Sequence, residues 1–203
     1  MSWSAEAFAR IKKGAHRFER QATAFDSNRA AVEKWLLPSE AEMIKLLIPG
    51  FGPLEINRVV TDYTGTHSFK GVVRRSVRTR LAQLARLVEV HVLTIDTFGT
   101  VRRELARLPV ELHLLKDSRR NDKEKQRFVM KYEPKHVAAF GNGTIDRLLL
   151  KTVRDAGGLA VAVDNGEGCA LEAILNSNIL VHGSEQALDL LLEPNSCKAT
   201  LRF

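Results

Sequence analysis

Residues 59–68 read VVTDYTGTHS. The β-branched run Val59-Val60-Thr61 favours an extended chain. Asp62-Tyr63-Thr64-Gly65 favours a turn, because aspartate bonds nearby backbone and glycine supplies positive φ. An acid at that junction is either the first residue of an ordinary turn or a carboxylate presented from the end of a buried strand. The ten residues alone support both readings, and the order of elements around them separates the two.

From residue 58 onward, strand and helix patterns alternate. Apolar strands fall at 58–62, 88–94, 110–116, 136–142, 158–164 and 178–182, with helical patterns at about 72–87, 97–107, 121–132, 144–156, 168–176 and 184–192. Several strands are near-continuous apolar runs, among them VEVHVLT and GLAVAVD, as a strand covered by helices on both faces requires. The alternation predicts an α/β fold with a doubly wound, mostly parallel sheet. Ahead of it, MIKLLIP and PLEIN flank Gly50-Phe51-Gly52 and predict a β-hairpin. Residues 1–42 read as a helical N-terminal extension, broken at Pro38-Ser39, to a domain spanning 43–203. Phe8, Ile11, Phe18, Ala22 and Phe25 give the extension an approximate apolar stripe. Such an arm suits packing on its own domain or on a second copy in a homo-oligomer.

Composition narrows the function classes. Hydrophobic residues at 44% and charged residues at 27% match a globular protein and exclude a disordered one. No apolar run approaches the roughly 18 residues that span a bilayer, since the best candidate, residues 44–51, is broken by Pro49 and Gly50. The first twenty residues lack an apolar core of the kind a secretory signal carries. Cys169 and Cys197 stand alone, without metal-ligand spacing, which suits a reducing compartment. The expected location is the cytoplasm.

The net charge of +7 raises nucleic acid as a partner. Arg74, Arg75, Arg78, Arg80 and Arg86 share one segment, in which Val73, Val77, Leu81, Leu84 and Val88 form an apolar stripe. The arginines therefore read as the solvated face of a helix. No aromatic residues interleave with them as platforms for bases, so nucleic acid is not the expected partner.

In a doubly wound sheet, ligands bind at the carboxyl ends of the strands, so the polar residues there belong together. The first strand ends in Asp62-Tyr63-Thr64-Gly65-Thr66, the second in Thr94-Ile95-Asp96-Thr97, and the fourth in Gly141-Asn142-Gly143-Thr144-Ile145-Asp146. The helix at 121–132 adds Lys125. An acid, a hydroxyl, an amine and a second acid thus fall on one edge of one sheet.

This series, DxxGT, Thr, Lys and GxxxxD in that order, resembles the four motifs of the haloacid dehalogenase-like (HAD) hydrolases. The resemblance covers residues 43–203. More narrowly, DYTGT looks like the DKTGT of P-type ATPases, and LTIDTFGTV and GNGTID look like segments of the small "soluble P-type ATPase" HAD proteins. The resemblance implies a HAD-like (Rossmannoid) fold and a Mg²⁺-dependent phosphohydrolase acting on a phosphorylated substrate. By motif position, Asp62 would be the nucleophile that forms an aspartyl-phosphate. Gly65, Thr66, Thr94, Ile95 and Lys125 would surround the transferring phosphoryl group, with Thr94 and Lys125 donating to it. Asp62, the Thr64 carbonyl, Asp146 and Asn142 would hold Mg²⁺ through oxygen.

Two positions depart from the pattern. Thr64 stands where phosphatases of the superfamily place a second aspartate as general acid and base, and a threonine hydroxyl does not shuttle protons near pH 7. His67 is a candidate substitute, and a plain loop histidine is the other reading of it. GNGTID replaces the commoner GDGxND, so Asn142 removes a charge and Ile145 an amide. A slow enzyme is expected, with an inactive HAD-like scaffold or regulatory protein as the alternative.

Only 27 residues separate Thr66 from Thr94, and 30 separate Thr94 from Lys125. Neither interval has room for a cap domain or for the nucleotide-binding domain of an ATPase, so the site is expected to be open. His91 and His113 lie inside strand patterns and read as core or edge histidines. Cys169 reads as a packed residue, Asp96 as a loop or cap residue, and Tyr63 and Phe140 as residues lining the mouth of the site.

Overall fold

A computed structural model of the chain describes residues 43–116 and 119–203. The N-terminal extension expected over residues 1–42 lies outside the described residues. The hairpin pairs β1 (Ile44–Ile48) with β2 (Gly52–Ile56), antiparallel, with Leu46 opposite Leu54 and Ile48 opposite Gly52. Period-two alternation puts Leu46, Ile48, Leu54 and Ile56 in the core and leaves Leu47 exposed.

The remaining strands are β3 (Arg58–Thr61), β4 (Glu89–Thr94), β5 (Glu111–Leu114), β6 (Val137–Gly141), β7 (Leu159–Asp164) and β8 (Ile179–His182). They form one six-stranded sheet in the order β5-β4-β3-β6-β7-β8, and every pairing in it is parallel. The helices are α1 (Arg75–Leu84), α2 (Val101–Glu104), α3 (Asn121–Val129), α4 (Arg147–Asp155), α5 (Leu171–Leu175), α6 (Ser184–Leu192) and α7 (Pro194–Leu201).

Both faces of the sheet are covered, which explains the continuous apolar strands. On one face Val59, Val92, Phe140 and Val161 pack with Val77, Leu81 and Leu84 of α1 and with Leu188 and Leu191 of α6. On the other, Val60, Leu93, Ala139 and Ala160 pack with Val129 of α3 and with Leu149, Leu150 and Val153 of α4. Neighbours in sequence, such as Val59 and Val60, therefore serve opposite layers. The chain builds outward from β3 to β5 on one side and resumes at β6 on the other. Connections diverge at that switch point, opening a crevice between the carboxyl ends of β3 and β6. No helix among the described residues is long and apolar enough to cross a membrane.

The structure corrects several local expectations. The helix expected at 97–107 shrinks to α2, because Asp96 adopts a positive φ of 53° and its Oδ1 accepts the N–H groups of Thr100 and Val101. The helix expected at 168–176 starts only at Leu171, since Asp164 Oδ1 instead holds a loop through the N–H groups of Gly166 and Gly168. Helix α7, begun by Pro194 at its first turn, was not expected; it buries Cys197, whose thiol burial pushes up to about 11. Tyr63 and Phe140 do not line a mouth. Both are buried, and the Tyr63 hydroxyl donates to the Gly71 carbonyl at 2.9 Å.

Candidate active site

The site begins with the loop that leaves β3. The Tyr63 carbonyl accepts the N–H groups of Thr66, His67 and Ser68 at 3.4, 3.0 and 2.9 Å, which folds the loop back over the strand end. Gly65 sits at φ +77°, and a Cβ there would come within 2.3 Å of Asn142 Nδ2. Glycine is thus required both for the backbone angle and for the approach of the β3 and β6 loops. Thr66 completes that contact, its hydroxyl donating to Asn142 Oδ1 at 3.1 Å. Ser184, at the start of α6, anchors the loop from behind by donating to the Thr66 carbonyl at 2.6 Å.

Three charged side chains meet at this junction. Lys125 Nζ donates to Asp62 Oδ1 at 2.6 Å and to Asp146 Oδ1 at 2.7 Å. Asp146 Oδ2 in turn accepts the N–H groups of Asn142 and Gly143 at 3.1 and 2.9 Å. Gly141 makes room for it, because a Cβ there would lie 2.5 Å from the Asp146 side chain. Lys125 and Asp146 are fully buried and Asp62 is 4% exposed. Buried ions of this kind are costly unless paired and concentrate at functional sites.

The charge count is unequal: one ammonium serves two carboxylates. Burial raises the Asp62 pKa to about 6; Lys125 pulls it down and the Asp146 charge pushes it up again. Asp62 is therefore still ionised at pH 7. Burial acts to lower the Lys125 pKa, but the two carboxylates outweigh it and hold the amine above its ordinary value. The net negative charge and the hard oxygen donors of Asp62, Asp146 and Asn142 fit a divalent ion of the magnesium type.

The structure thus brings together Asp62, Gly65, Thr66, Lys125, Asn142 and Asp146. Thr94 is buried at the end of β4, beside β3, where its hydroxyl oxygen accepts the Asp96 N–H at 3.0 Å and keeps its own hydrogen to donate. Ile95 follows it, half-buried. Thr64 lies in the loop with a buried Oγ1 that has no hydrogen-bond partner.

His67 is not placed to replace a carboxylate at position 64. Its ring packs toward Phe140, with centroids 6.1 Å apart, and lines a small cavity with Asn165, Ser184 and Glu185. Neither ring nitrogen has a partner, and burial lowers its pKa to about 4, so it is neutral at pH 7. Cys169 is half-buried with its thiol pKa raised, first by burial, and is not poised as a nucleophile. Ser184 was missed in the sequence because its contact spans 118 residues; no local pattern marks it.

Comparison with solved structures identifies the fold. A Streptomyces avermitilis protein assigned to the HAD family of hydrolases superposes with a TM-score of 0.53 at 20% identity, over 69% of this chain and 87% of its own. A 3-deoxy-D-manno-octulosonate 8-phosphate phosphatase of Moraxella catarrhalis, solved with magnesium, phosphate and its sugar, gives a TM-score of 0.53 at 14% identity over 72% and 94%. The cobalt-bound phosphatase of the same type from Haemophilus influenzae gives 0.51 at 16% over 73% and 94%. The chain has the HAD-like fold. No protein-family model matches it. It belongs to the same family as an uncharacterized protein of Methanocaldococcus jannaschii, to which it is 44% identical over 68 residues, 34% of this chain and 69% of the relative.

Proposed function

We propose that this protein is a Mg²⁺-dependent phosphohydrolase that works through an aspartyl-phosphate on Asp62. The observation that carries the reading is the convergence of Asp62 and Asp146, which follow different strands, on the Lys125 ammonium at 2.6 and 2.7 Å. The phosphatase activity named for two proteins of similar fold supports a phosphate monoester as the substrate class.

Asp62 Oδ1 is held by Lys125, whereas Thr66 Oγ1 approaches Oδ2 only to 3.5 Å. Oδ2 is the attacking atom in this reading. It bonds to phosphorus as the bond to the leaving oxygen breaks, and that oxygen takes a proton from water. A second water then attacks the phosphorus, returns the Asp62 carboxylate and releases inorganic phosphate. Lys125 neutralises charge on the transferring group, and the Thr94 hydroxyl and the Thr66 and Ile95 backbone positions face its oxygens. Asp62, Asp146, Asn142 and the Thr64 carbonyl would hold Mg²⁺, which supplies charge neutralisation for the phosphate.

No carboxylate stands at position 64, and His67 is turned away into the core. Turnover is therefore slow, limited by proton transfer at both steps. The same observation favours a second reading, a HAD-like scaffold or regulatory protein that binds phosphate and hardly turns over. Hydrolysis of a generic aryl phosphate with and without Mg²⁺ separates the two. The enzyme reading expects Mg²⁺-dependent hydrolysis that falls at least about 10³-fold in Asp62→Asn. Hydrolysis that persists undiminished in that variant rejects Asp62 as nucleophile.

A further inference from the structure

A second polar cluster lies on the outer strands β4 and β5. The two strands are parallel, with His91 opposite Glu111 and Leu93 opposite His113. Alternation along each strand places His91, Glu111 and His113 on one face of the sheet, the face that carries Leu93. His91 Nδ1 lies 3.1 Å from His113 Nε2 and 3.2 Å from Glu111 Oε2, and His113 Nε2 lies 3.7 Å from the same carboxylate oxygen. Ligands placed tetrahedrally about 2.05 Å from an ion stand about 3.3 Å apart. The three edges of this triangle bracket that spacing.

We propose that His91, His113 and Glu111 bind a divalent transition-metal ion of the zinc type, with a fourth position open to water. Two imidazoles and one carboxylate select zinc and its neighbours over magnesium, which prefers oxygen alone. Among the described residues this is the one group of three His, Cys, Asp or Glu whose ligand atoms all lie within 4.8 Å of one another.

The rings are already oriented. His91 is buried and stacks on Tyr132, with centroids 5.6 Å apart, while His113 packs on Phe128 at 4.6 Å. The Glu111 side chain is 67% exposed, so an ion reaches the site from solvent on its side. Behind His91, Glu89 Oε2 lies 3.5 Å from Nε2, in the place of the carboxylate that commonly supports a metal-bound histidine.

Arg58 sets the condition for loading. Its Nε donates to His91 Nε2 at 3.2 Å, which leaves the His91 proton on Nδ1. Binding moves that proton from Nδ1 to Nε2, which then donates to Glu89 Oε2, 3.5 Å away, while Arg58 Nε keeps its shorter bond to the same carboxylate oxygen at 2.8 Å. The imidazole gains and loses one proton in the exchange. Arg58 keeps its ion pair with Glu89 and its place 3.9 Å over the Tyr132 ring. A bound ion ties the edge strand β5 to β4, away from the Asp62 crevice at the β3–β6 switch point.

The test is Zn²⁺ titration of chelator-treated full-length protein in saturating Mg²⁺, followed by calorimetry. The expected result is one Zn²⁺ per chain, bound at least about 10-fold more weakly in Glu111→Gln and in His113→Gln and also weakened by Glu89→Gln. Asp146→Asn leaves the affinity unchanged. Circular dichroism checks that each variant is folded, and Co²⁺ in place of Zn²⁺ gives a four-coordinate visible spectrum that His113→Gln abolishes. No stoichiometric Zn²⁺, affinity unaltered in both Glu111→Gln and His113→Gln, or binding lost with Asp146→Asn each overturns the proposal.

Discussion

At the switch point of the sheet, Asp62, Lys125 and Asp146 are buried, with one ammonium for two carboxylates. On the outer strands, His91, His113 and Glu111 meet with one ring buried and the carboxylate in solvent. Both clusters hang on strands of the same sheet, yet they carry different risks. A fully buried ion pair depends on every member, since any unpaired charge left behind has no water to turn to. A half-open cluster can lose a member and hydrate the rest. Enclosure, more than residue type, decides which site is expensive to alter.

The sharpest way to break that comparison is to remove one cation or one anion. Lys125→Met leaves two buried carboxylates facing each other and should cost about 3–5 kcal/mol, read from urea unfolding. Glu111→Gln, in metal-free protein, should stay within about 0.5 kcal/mol. Similar costs for the two would contradict the distinction drawn from burial.

Histidine titration sharpens the same contrast. His67 is buried without a partner, and its pKa falls from the ordinary 6.5 to about 4. Between those values the unfolded chain binds the proton first, so folding stability drops as pH falls through that window. The loss amounts to at most about 3 kcal/mol. Asp62 acts in the opposite sense, because its folded pKa of about 6 lies above its unfolded value and its burial costs stability as pH rises. The two slopes oppose each other in the wild type. His67→Leu should expose the Asp62 slope and Asp62→Asn the His67 slope, both measured by urea unfolding from pH 4 to 7. Identical pH profiles in all three proteins would reject both assignments.

A smaller change tests the missing acid–base group. Thr64→Asp places a carboxylate beside the nucleophile and should raise kcat for an aryl phosphate by about 10²-fold. A fall instead would mean that a third buried acid costs more than its proton transfer returns.

The legible and illegible parts of the molecule follow the same division. Asp62, Thr94 and Asp146 stood out as candidates because each sits in a short local pattern at or just after a strand's end, and parallel topology gathers such ends on one edge; Lys125, in the middle of α3, stood out only through its place in the order of motifs. The six strands were legible from their apolar runs, and the hairpin from its glycines. The His91 cluster was not, because it depends on the register of β4 against β5, which pairs residues about twenty positions apart. Single side chains set the remaining errors. Asp96 at positive φ delays α2, and Asp164 holds a loop where a helix was expected. Helix α7 has a weak apolar pattern and is defined by the burial of Cys197.

The most direct test of the central claim is thermal unfolding in saturating Mg²⁺ and beryllium fluoride, which mimics a phosphoryl group on an aspartate and needs no knowledge of the substrate. If Asp62 is a phosphoryl acceptor, ligand at about 100 times its Kd adds about 2.7 kcal/mol of stability, raising Tm by roughly 5–10 °C for a chain of this size. The gain should require both reagents and vanish in Asp62→Asn. An unchanged Tm in the wild type, or an equal rise in Asp62→Asn, would contradict the account.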